Sequence, residues 1–268
     1  MSKKHKDAVR KQFTKTLEAF SKYAVRDSPE VQAEKVEFVR AQPSDLALDV
    51  ACGPGELVLA LAPRVRFAFG VDLTLQMLRQ ARAFQVERQV AGAAFACGEA
   101  EQLPFVDGAF DLVTCQCSLH HIPKPQLALQ EMARVTKLEG RLLIIDALAP
   151  ESDAKFELHN RIERLRDPSH ADTLRLTSFL QMFEEHGLDI VRQAVRRRPR
   201  SFNHWMLRAG LEPRHKHYQE TRKLLEESLA GDRAGFSAQP QDDDFLITHH
   251  AGMFLLHKAV GGRGDSKR

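Results

Sequence analysis

The sequence predicts an α/β fold: a doubly wound, mostly parallel sheet of seven strands with helices on both faces. Short apolar runs alternate with helical patterns from residue 46 to residue 148, which is the order of a parallel sheet with crossover helices. The run LLIIDAL (142–148) is almost continuously apolar, as is typical of strands buried on both faces. A glycine turn, GPG at 53–55, joins the first strand to the first helix of this region, as in nucleotide-type sites.

Turn signals separate the elements of this region. Pro63 ends the first helix, Asp107-Gly108 forms a turn before the fourth strand, and Gly140 precedes the fifth. In the second helix, apolar residues recur at spacings of three and four. The predicted elements are strand 46–51, helix 57–62, strand 67–71, helix 75–86, strands 93–96 and 110–115, helix 126–135 and strand 141–148.

Helical segments flank this region. Residues 6–23 and 29–40 have apolar side chains at helical spacing, with Val9, Phe13 and Phe20 among them. After residue 150 the pattern loosens, and Asp167-Pro168 and Gly187 mark helix ends. The elements expected there are helices over 154–166, 178–186 and 202–230, a strand over 188–195, a loop over 231–244 and a last strand within 245–259.

Composition and charge exclude several classes of protein. The 268 residues carry a formal net charge of +3 and the basic residues are spread, so no nucleic-acid partner is predicted. No apolar run reaches the ~18 residues of a membrane span, and no secretory signal is recognisable, which predicts a cytoplasmic protein. The cysteines have no zinc-type spacing, so we expect no metal site and four reduced thiols: Cys52, Cys97, Cys115 and Cys117. Cys115 and Cys117 are expected to lie on one face of a strand.

Two acids beside the glycine turn indicate which ligand it binds. Val58 stands where a dinucleotide fingerprint has its third glycine, and no Lys-Ser/Thr pair follows, which excludes a P-loop. Asp49 would repel a pyrophosphate and attract an ammonium or sulfonium group, by about 4 kcal/mol at ~4 Å and an effective dielectric of ~20. Asp72 ends the second strand, where a carboxylate can accept both hydroxyls of a ribose. S-adenosylmethionine has the ribose and the positive charge that these acids require.

Five motifs carry a resemblance to a known family: LDVACGPGELVLALA (48–62), GVDLTLQML (70–78), GEAEQLPFVDGAFDLVTC (98–115), SLHHIPKP (118–125) and LEGRLLIID (138–146). The chain resembles class I methyltransferases with a methyltransferase type 11 domain, a group similar to the ubiquinone/menaquinone-biosynthesis C-methyltransferases. The resemblance implies a Rossmann-like methyltransferase fold and S-adenosylmethionine as cofactor. It also implies a set of cofactor contacts: Asp49, Ala51, Gly53, Gly55, Asp72, Leu73, Met77, Glu99, Ala100 and Gln116.

Within that set, the resemblance assigns Asp49 and Gln116 to the methionine part, Asp72 to the ribose, and Glu99 with Ala100 to adenine. The N-terminal signature of the quinone methyltransferases is missing, and Lys137-Leu-Glu-Gly140 replaces their Lys-Pro-Gly-Gly, so no quinone substrate is carried over. The chain is expected to comprise an N-terminal helical lid (1–42), a cofactor-binding core (43–150), a C-terminal half of the sheet with a helical acceptor-binding insertion (151–260) and a disordered tail (261–268).

Histidines are the candidates for a catalytic base. His120, His121 and His170 follow strands or turns near the edge where ligands bind, although a strand conformation would point the first two in different directions. His249 and His250 are expected at the start or edge of the last strand. The basic run 196–200 is predicted to be an exposed strand end, with an acidic acceptor or a membrane surface as the alternative. An apolar acceptor pocket is expected from aromatic residues of the lid and the insertion: Phe13, Phe20, Tyr23 and Trp205.

Three functions remain open from these observations. The first is a methyltransferase acting on carbon or oxygen of a small, apolar acceptor, with no integral membrane association and an undetermined oligomeric state. The second is an NAD-type oxidoreductase, which the missing third glycine and Asp49 disfavour. The third is a catalytically silent module that binds S-adenosylmethionine.

Overall fold

The sheet places two acidic strand ends side by side at its centre. The computed structural model describes residues 1–23 and 29–259; the tail 261–268 and the side chains of Phe20 and Tyr23 lie outside this description. The strands are β1 (Leu46–Val50), β2 (Phe67–Asp72), β3 (Ala93–Cys97), β4 (Phe110–Gln116), β5 (Thr136–Leu148), β6 (Leu188–Ser201), β7 (Gln239–Gln241) and β8 (Asp244–Lys258). Their order is β3-β2-β1-β4-β5-β8-β6, with β7 paired to β8.

The first five strands are parallel, and β6 and β8 add an antiparallel pair at one edge. Because β1 pairs with both β2 and β4, the strand order reverses there and leaves a crevice at the carboxyl ends of the strands. The glycine turn after β1 and Asp72 at the end of β2 both open into this crevice. The predicted α/β class with a mostly parallel, doubly wound sheet is confirmed.

Helices cover both faces of the sheet. They are α1 (Lys3–Tyr23), α2 (Pro29–Phe38), α3 (Glu56–Leu61), α4 (Leu75–Glu87), α5 (Pro125–Val135), α6 (Asp153–Arg166), α7 (Leu176–Glu185), α8 (Phe202–Arg208) and α9 (Lys216–Ser228). Apolar side chains of α2, α3 and α4 pack on one face, and those of α5 and α7 pack on the other. Along β5, all four residues from Leu142 to Ile145 are at most 2% exposed, and each contributes roughly 1.5–3 kcal/mol by burial.

A separate apolar cluster holds the C-terminal insertion together. Residues of α6, α8, α9 and the start of β8 form it, with Phe202, Trp205 and Phe245 buried at its centre. It packs beside the carboxyl end of the sheet, because β6 continues directly into α8. Within the described ranges, no helix is both long and apolar enough to span a bilayer.

Four local predictions are corrected by the structure. The helix predicted over 202–230 is two helices, because Gly210 adopts a φ of +70° and Pro213 follows it. The predicted loop 231–244 contains β7, which makes an eighth strand. Strand β6 continues through the basic run to Ser201 rather than ending at 195. Cys117 has a φ of +51° and lies beyond the end of β4, so it does not share a strand face with Cys115.

Candidate active site

A cavity of about 420 Å³ opens at the carboxyl edge of the sheet, a size typical of small-ligand sites. One end is formed by the loop after β1, the ends of β2 and β3, and helix α1. The other end is formed by α6, β6, α8 and β8. The cavity therefore joins the cofactor region predicted from the sequence to the C-terminal insertion.

The glycine turn shapes the floor of the first end. Gly53 has a φ of +53° and an added Cβ would meet nothing within 4 Å, so its backbone borders open space in the cavity. Gly55, with a φ of +76°, is glycine because of packing: an added Cβ would lie 2.7 Å from a ring carbon of Phe95. Gly55 does not line the cavity, so the structure gives it a packing role in place of the predicted cofactor contact.

Asp72 holds this turn in shape. One carboxylate oxygen accepts a hydrogen bond from the backbone N–H of Gly53 at 2.8 Å, and the other accepts one from Thr74 at 2.8 Å. Burial raises the pKa of Asp72, although the backbone hydrogen bonds oppose that rise. Each oxygen keeps a second lone pair, and Asp72 lines the cavity, so ribose hydroxyls can still donate to it.

Asp49 lies beneath the cavity rather than in its wall. It is 1% exposed, and Oδ1 accepts a hydrogen bond from the hydroxyl of Thr114 at 2.6 Å. Its Oδ2 is buried and has no hydrogen-bond partner within the described residues. Burial raises the pKa of Asp49 to about 7, against the hydrogen bond from Thr114 and the nearby charge of Lys35. An unpaired buried carboxylate oxygen fits an ammonium group, either directly or through water.

Lys35 joins this region from helix α2. Its ammonium donates to Oε1 of Gln116 at 2.8 Å, and the lysine is 3% exposed. Both residues line the cavity. Sequence reasoning missed Lys35, because a lysine in an N-terminal helix gives no sign that tertiary packing buries it beside β4.

Helix α1 borders the end of the cavity where adenine is predicted to bind. The predicted contacts there line the cavity: Ala51, Leu73, Met77, Glu99 and Ala100. Glu99 forms an ion pair with Lys6 of α1. From the same helix, Arg10 donates to the carbonyl of Leu73 at 3.5 Å, and His5 donates to the carbonyl of His121 at 2.8 Å. Helix α1 thus contacts three loops of the site.

His120 and Asp146 form a buried pair between the two ends. Nδ1 of His120 lies 2.5 Å from Oδ1 of Asp146, and Oδ2 of Asp146 accepts from the backbone N–H of Leu119 at 2.8 Å. Burial lowers the pKa of His120, but the Asp146 carboxylate outweighs this and the net shift is upward. No described residue bonds Nε2, and His120 lines the cavity. Asp146 ends the motif LEGRLLIID (138–146), but no pattern in the sequence indicates that it pairs with His120.

His121 and His170 pack against His120 instead of standing apart. Residues 119–121 form a 3₁₀ turn rather than a strand, so the expectation of divergent rings is wrong: the His120 and His121 ring centroids are 4.3 Å apart. The ring of His170 is 5.2 Å from that of His120 but does not line the cavity. Burial lowers the pKa of His121 to about 4 and that of His170 to about 3, so both are neutral at physiological pH.

The second end of the cavity is rich in charge. His249 and His250 lie within β8 and line the cavity, in contrast to the predicted strand edge. His249 donates from Nε2 to Glu163 at 3.1 Å, and its buried Nδ1 has no partner among the residues described. The basic run is only partly an exposed strand end, because Arg198 and Arg200 line the cavity. Four arginines line this end: Arg166, Arg198, Arg200 and Arg208.

Across the described ranges, no group of three or more His, Cys, Asp or Glu side chains is arranged to hold a metal ion. The free cysteines are also separated, with Cys52 and Cys115 buried and Cys97 and Cys117 exposed. The charged and titratable side chains that line the cavity are carboxylates, imidazoles and guanidinium groups, together with the ammonium of Lys35 and the thiols of Cys52 and Cys117.

Comparisons with known proteins agree with this site. A family model described as a methyltransferase domain matches residues 48–144. The methyltransferase YcgJ of Bacillus subtilis (strain 168) is 34% identical over 201 residues, covering 74% of this chain and 78% of that protein. A demethylmenaquinone methyltransferase of Geobacillus sp. (strain WCH70) is 33% identical over 120 residues, 44% of this chain and 51% of that protein. A crystal structure from Bacillus halodurans C-125, described as a methyltransferase, aligns with a TM-score of 0.80 at 29% identity, over 85% of this chain and 99% of that one.

Proposed function

The chain belongs to the S-adenosylmethionine-dependent methyltransferases of the family that includes YcgJ. From this premise we propose that it methylates an oxygen or an acidic carbon of a small acceptor, with His120 as the base. One observation carries the proposal. A single cavity is lined by eight of the ten predicted cofactor residues and also by the imidazole of His120, whose Nε2 has no partner among the described residues. The family membership disfavours the NAD-type oxidoreductase that the sequence had left open.

The residues of the first end fit the cofactor. When bound, S-adenosylmethionine supplies an electrophilic methyl group on a sulfonium sulfur. Asp72 would hold the ribose hydroxyls, and the backbone of Gly53 would border the ligand. The unpaired Oδ2 of Asp49 would accept from the methionine ammonium, and Lys35 would pair with its carboxylate. Glu99 and Ala100 would border adenine.

His120 has the arrangement of a general base. With Nδ1–H donating to Asp146, the imidazole of His120 has a lone pair on Nε2, which no described residue bonds, and His120 lines the cavity. An acceptor O–H or acidic C–H would give its proton to Nε2 of His120. The electron pair left behind would form the new bond to the methyl carbon as the carbon–sulfur bond breaks and its electron pair stays on sulfur. His121 and His170 stay neutral because their pKa values are lowered to about 4 and about 3, so they shape the site without competing for that proton.

Apolar side chains would enclose the body of the acceptor. Val9 and Phe13 of α1 line the cavity from one side, and Ile122, Ile145 and Trp205 line it from others. Excluding water strengthens the electrostatic contacts within the cavity. Helix α1 would therefore act as the lid that the sequence predicts, and α8 would complete the acceptor wall.

The lid can be tested separately. Deleting residues 1–25 should weaken binding of S-adenosylmethionine, because Lys6, Phe13 and the other α1 contacts are lost from the cavity wall. The core should stay folded, since no residue of α1 belongs to either apolar layer of the sheet and the deletion removes only Met1 from the margin of one layer. Calorimetric titration and far-UV circular dichroism of the truncated chain would check this. Unchanged affinity would refute the lid.

The proposed activity is tested by binding and then by turnover. Isothermal titration should show binding of S-adenosylmethionine and none of NADH. Formation of S-adenosylhomocysteine is then measured with a panel of small phenols, carboxylic acids, phosphate esters and 1,3-dicarbonyl compounds, each beside its O- or C-methylated form. Turnover should require the unmethylated member and should be lost in His120→Gln with cofactor binding retained. Full turnover in His120→Gln would rule out His120 as the base. Binding of S-adenosylmethionine with no turnover on any acceptor would favour the catalytically silent module.

A further inference from the structure

The four arginines at the second end of the cavity are more than an apolar acceptor needs. Arg198 and Arg200 lie two positions apart on β6, where alternate residues share a face, and both line the cavity. Arg166 from α6 and Arg208 from α8 approach from neighbouring elements. Among them, an apolar molecule alone would offer the guanidinium group of Arg200 no counter-charge.

The carboxylates nearby already have other partners. Glu163 accepts from His249, and its second oxygen lies 4.0 Å from Arg166. Asp167 accepts from the backbone and the hydroxyl of Ser169, at 2.8 and 2.6 Å. Arg200 has neither a hydrogen bond nor an ion pair within the part of the chain that the structure describes. Burial, together with the charges of Arg166 and Arg198, lowers the pKa of Arg200, which shows that its charge is poorly compensated.

A guanidinium group cannot release its proton at accessible pH, so a poorly compensated arginine gains from a bound anion. Planar guanidinium groups bind the oxygens of carboxylates and phosphates through paired hydrogen bonds. On the same strand, Arg196 has a carboxylate of the protein as its counter-charge, because it pairs with Glu34 of α2 outside the cavity. Arg198 and Arg200, the next two arginines on that face of the strand, line the cavity instead.

We propose that the acceptor carries an oxyanion group, a phosphate or a carboxylate, which binds to Arg200 with Arg166 and Arg198 while the apolar body extends towards His120. This inference rests on the proposed methyltransferase function, because it names the class of acceptor for the same cavity. It also refines the sequence-based expectation of a small, apolar acceptor and adopts the alternative that the basic run 196–200 recognises an acidic acceptor.

Trp205 offers a local reporter of anion binding. It is the only tryptophan of the chain, and the guanidinium carbon of Arg166 lies 4.8 Å from the centre of its ring. Protein saturated with S-adenosylhomocysteine is titrated with inorganic phosphate, with malonate and with neutral malonamide, at constant ionic strength and at a mildly alkaline pH where both anions are mainly dianions. We expect a saturable fluorescence change with at least one of the dianions and none with malonamide. The stronger dianion distinguishes a phosphate site from a carboxylate site.

Two matched variants locate the effect. Arg200→Gln should weaken dianion binding by about tenfold or more, the typical loss for a hydrogen bond to a charged group. Arg197→Gln makes the same change one residue away, on the exposed opposite face of β6, and should leave the affinity unchanged. Arg200→Lys should recover part of the affinity. If Arg200→Gln fails to fold, Arg166→Gln takes its place.

Three outcomes would overturn the inference: no saturable response to either dianion, equal weakening in Arg200→Gln and Arg197→Gln, or a loss of S-adenosylhomocysteine affinity in Arg200→Gln. The last would assign the arginines to the cofactor. Failure of the proposed function looks different, because it shows as absent binding of S-adenosylmethionine to the unmodified chain before any anion is added.

Discussion

Replacing Asp146 with Asn tests the base assignment without knowledge of the acceptor. The carboxylate lies 2.5 Å from Nδ1 of His120 and raises the pKa of that imidazole, whereas the isosteric amide is neutral. The side chain of Asp146 is 1% exposed and that of His120 is 16% exposed, so water screens the interaction weakly. We expect Asp146→Asn to lower the proton affinity of His120 and to leave S-adenosylmethionine binding unchanged.

The size of the effect follows from the contact. Two unit charges ~4 Å apart interact by about 4 kcal/mol at an effective dielectric of ~20, which is an upper bound. An amide still accepts a hydrogen bond, so the smaller figure of about 1.5–3 kcal/mol for a hydrogen bond to a charged group applies. Because about 1.4 kcal/mol corresponds to a factor of ten, the proton affinity of His120 should fall roughly tenfold to a hundredfold.

The assay is a pH titration of the His120 ring signals by NMR, in the unmodified chain and the variant. Asp167→Asn is the matched control, because Asp167 raises the pKa of His120 less than Asp146 does. Other groups near His120 that titrate or carry charge are Glu163 and His170. Once an acceptor is found, the rate should rise with pH through the pKa of His120, and Asp146→Asn should move that rise to lower pH. An unchanged His120 titration in Asp146→Asn would refute the reasoning.

Three further predictions concern the cofactor end and stability. Lys35→Met should weaken S-adenosylmethionine binding about tenfold by calorimetry, since it removes a charged hydrogen bond, and unchanged affinity would exclude Lys35 from the cofactor site. Gly55→Ala should lower the free energy of urea unfolding by about 1–3 kcal/mol, because its Cβ would lie 2.7 Å from Phe95 at a φ of +76°; unaltered unfolding would contradict this. His170 and His249 stay neutral in the folded chain, with pKa values of about 3 and about 4, but gain protons in the unfolded chain below the ordinary 6.5. Each of these two histidines should therefore lower the free energy of unfolding by up to about 1.4 kcal/mol per pH unit as the pH falls from 6.5 towards 4. A free energy of unfolding that stays constant over that interval would rule out their burial in the neutral form.

The parts of the fold that depend on local patterns were predictable. Apolar periodicity and turn residues predict the parallel strands, because each strand is specified by its own neighbours in the chain. Gly53 and Asp72 were predictable partners for the same reason, since the carboxyl ends of adjacent parallel strands meet at one edge. The 3₁₀ turn at 119–121 was not, because a short turn leaves no periodic signal.

The remaining site residues depend on long-range packing. Lys35 contacts Gln116 across 81 positions, and Glu163 contacts His249 across 86. No periodicity in the sequence links such distant positions. The basic run on β6 also gives no sign of which arginines face the cavity, because that depends on the register of β6 against β8.

The ribose contact proposed for Asp72, added to its hydrogen bond with Gly53, constrains how this protein can be redesigned. A designer who wanted a cofactor with a modified ribose would replace this acid first. The same carboxylate, however, holds the backbone N–H of Gly53, so any replacement that changes ribose recognition also releases the turn beneath the ligand. Cofactor selectivity and loop geometry are therefore inherited together, and a change of cofactor would require a compensating residue that restores the lost acceptor.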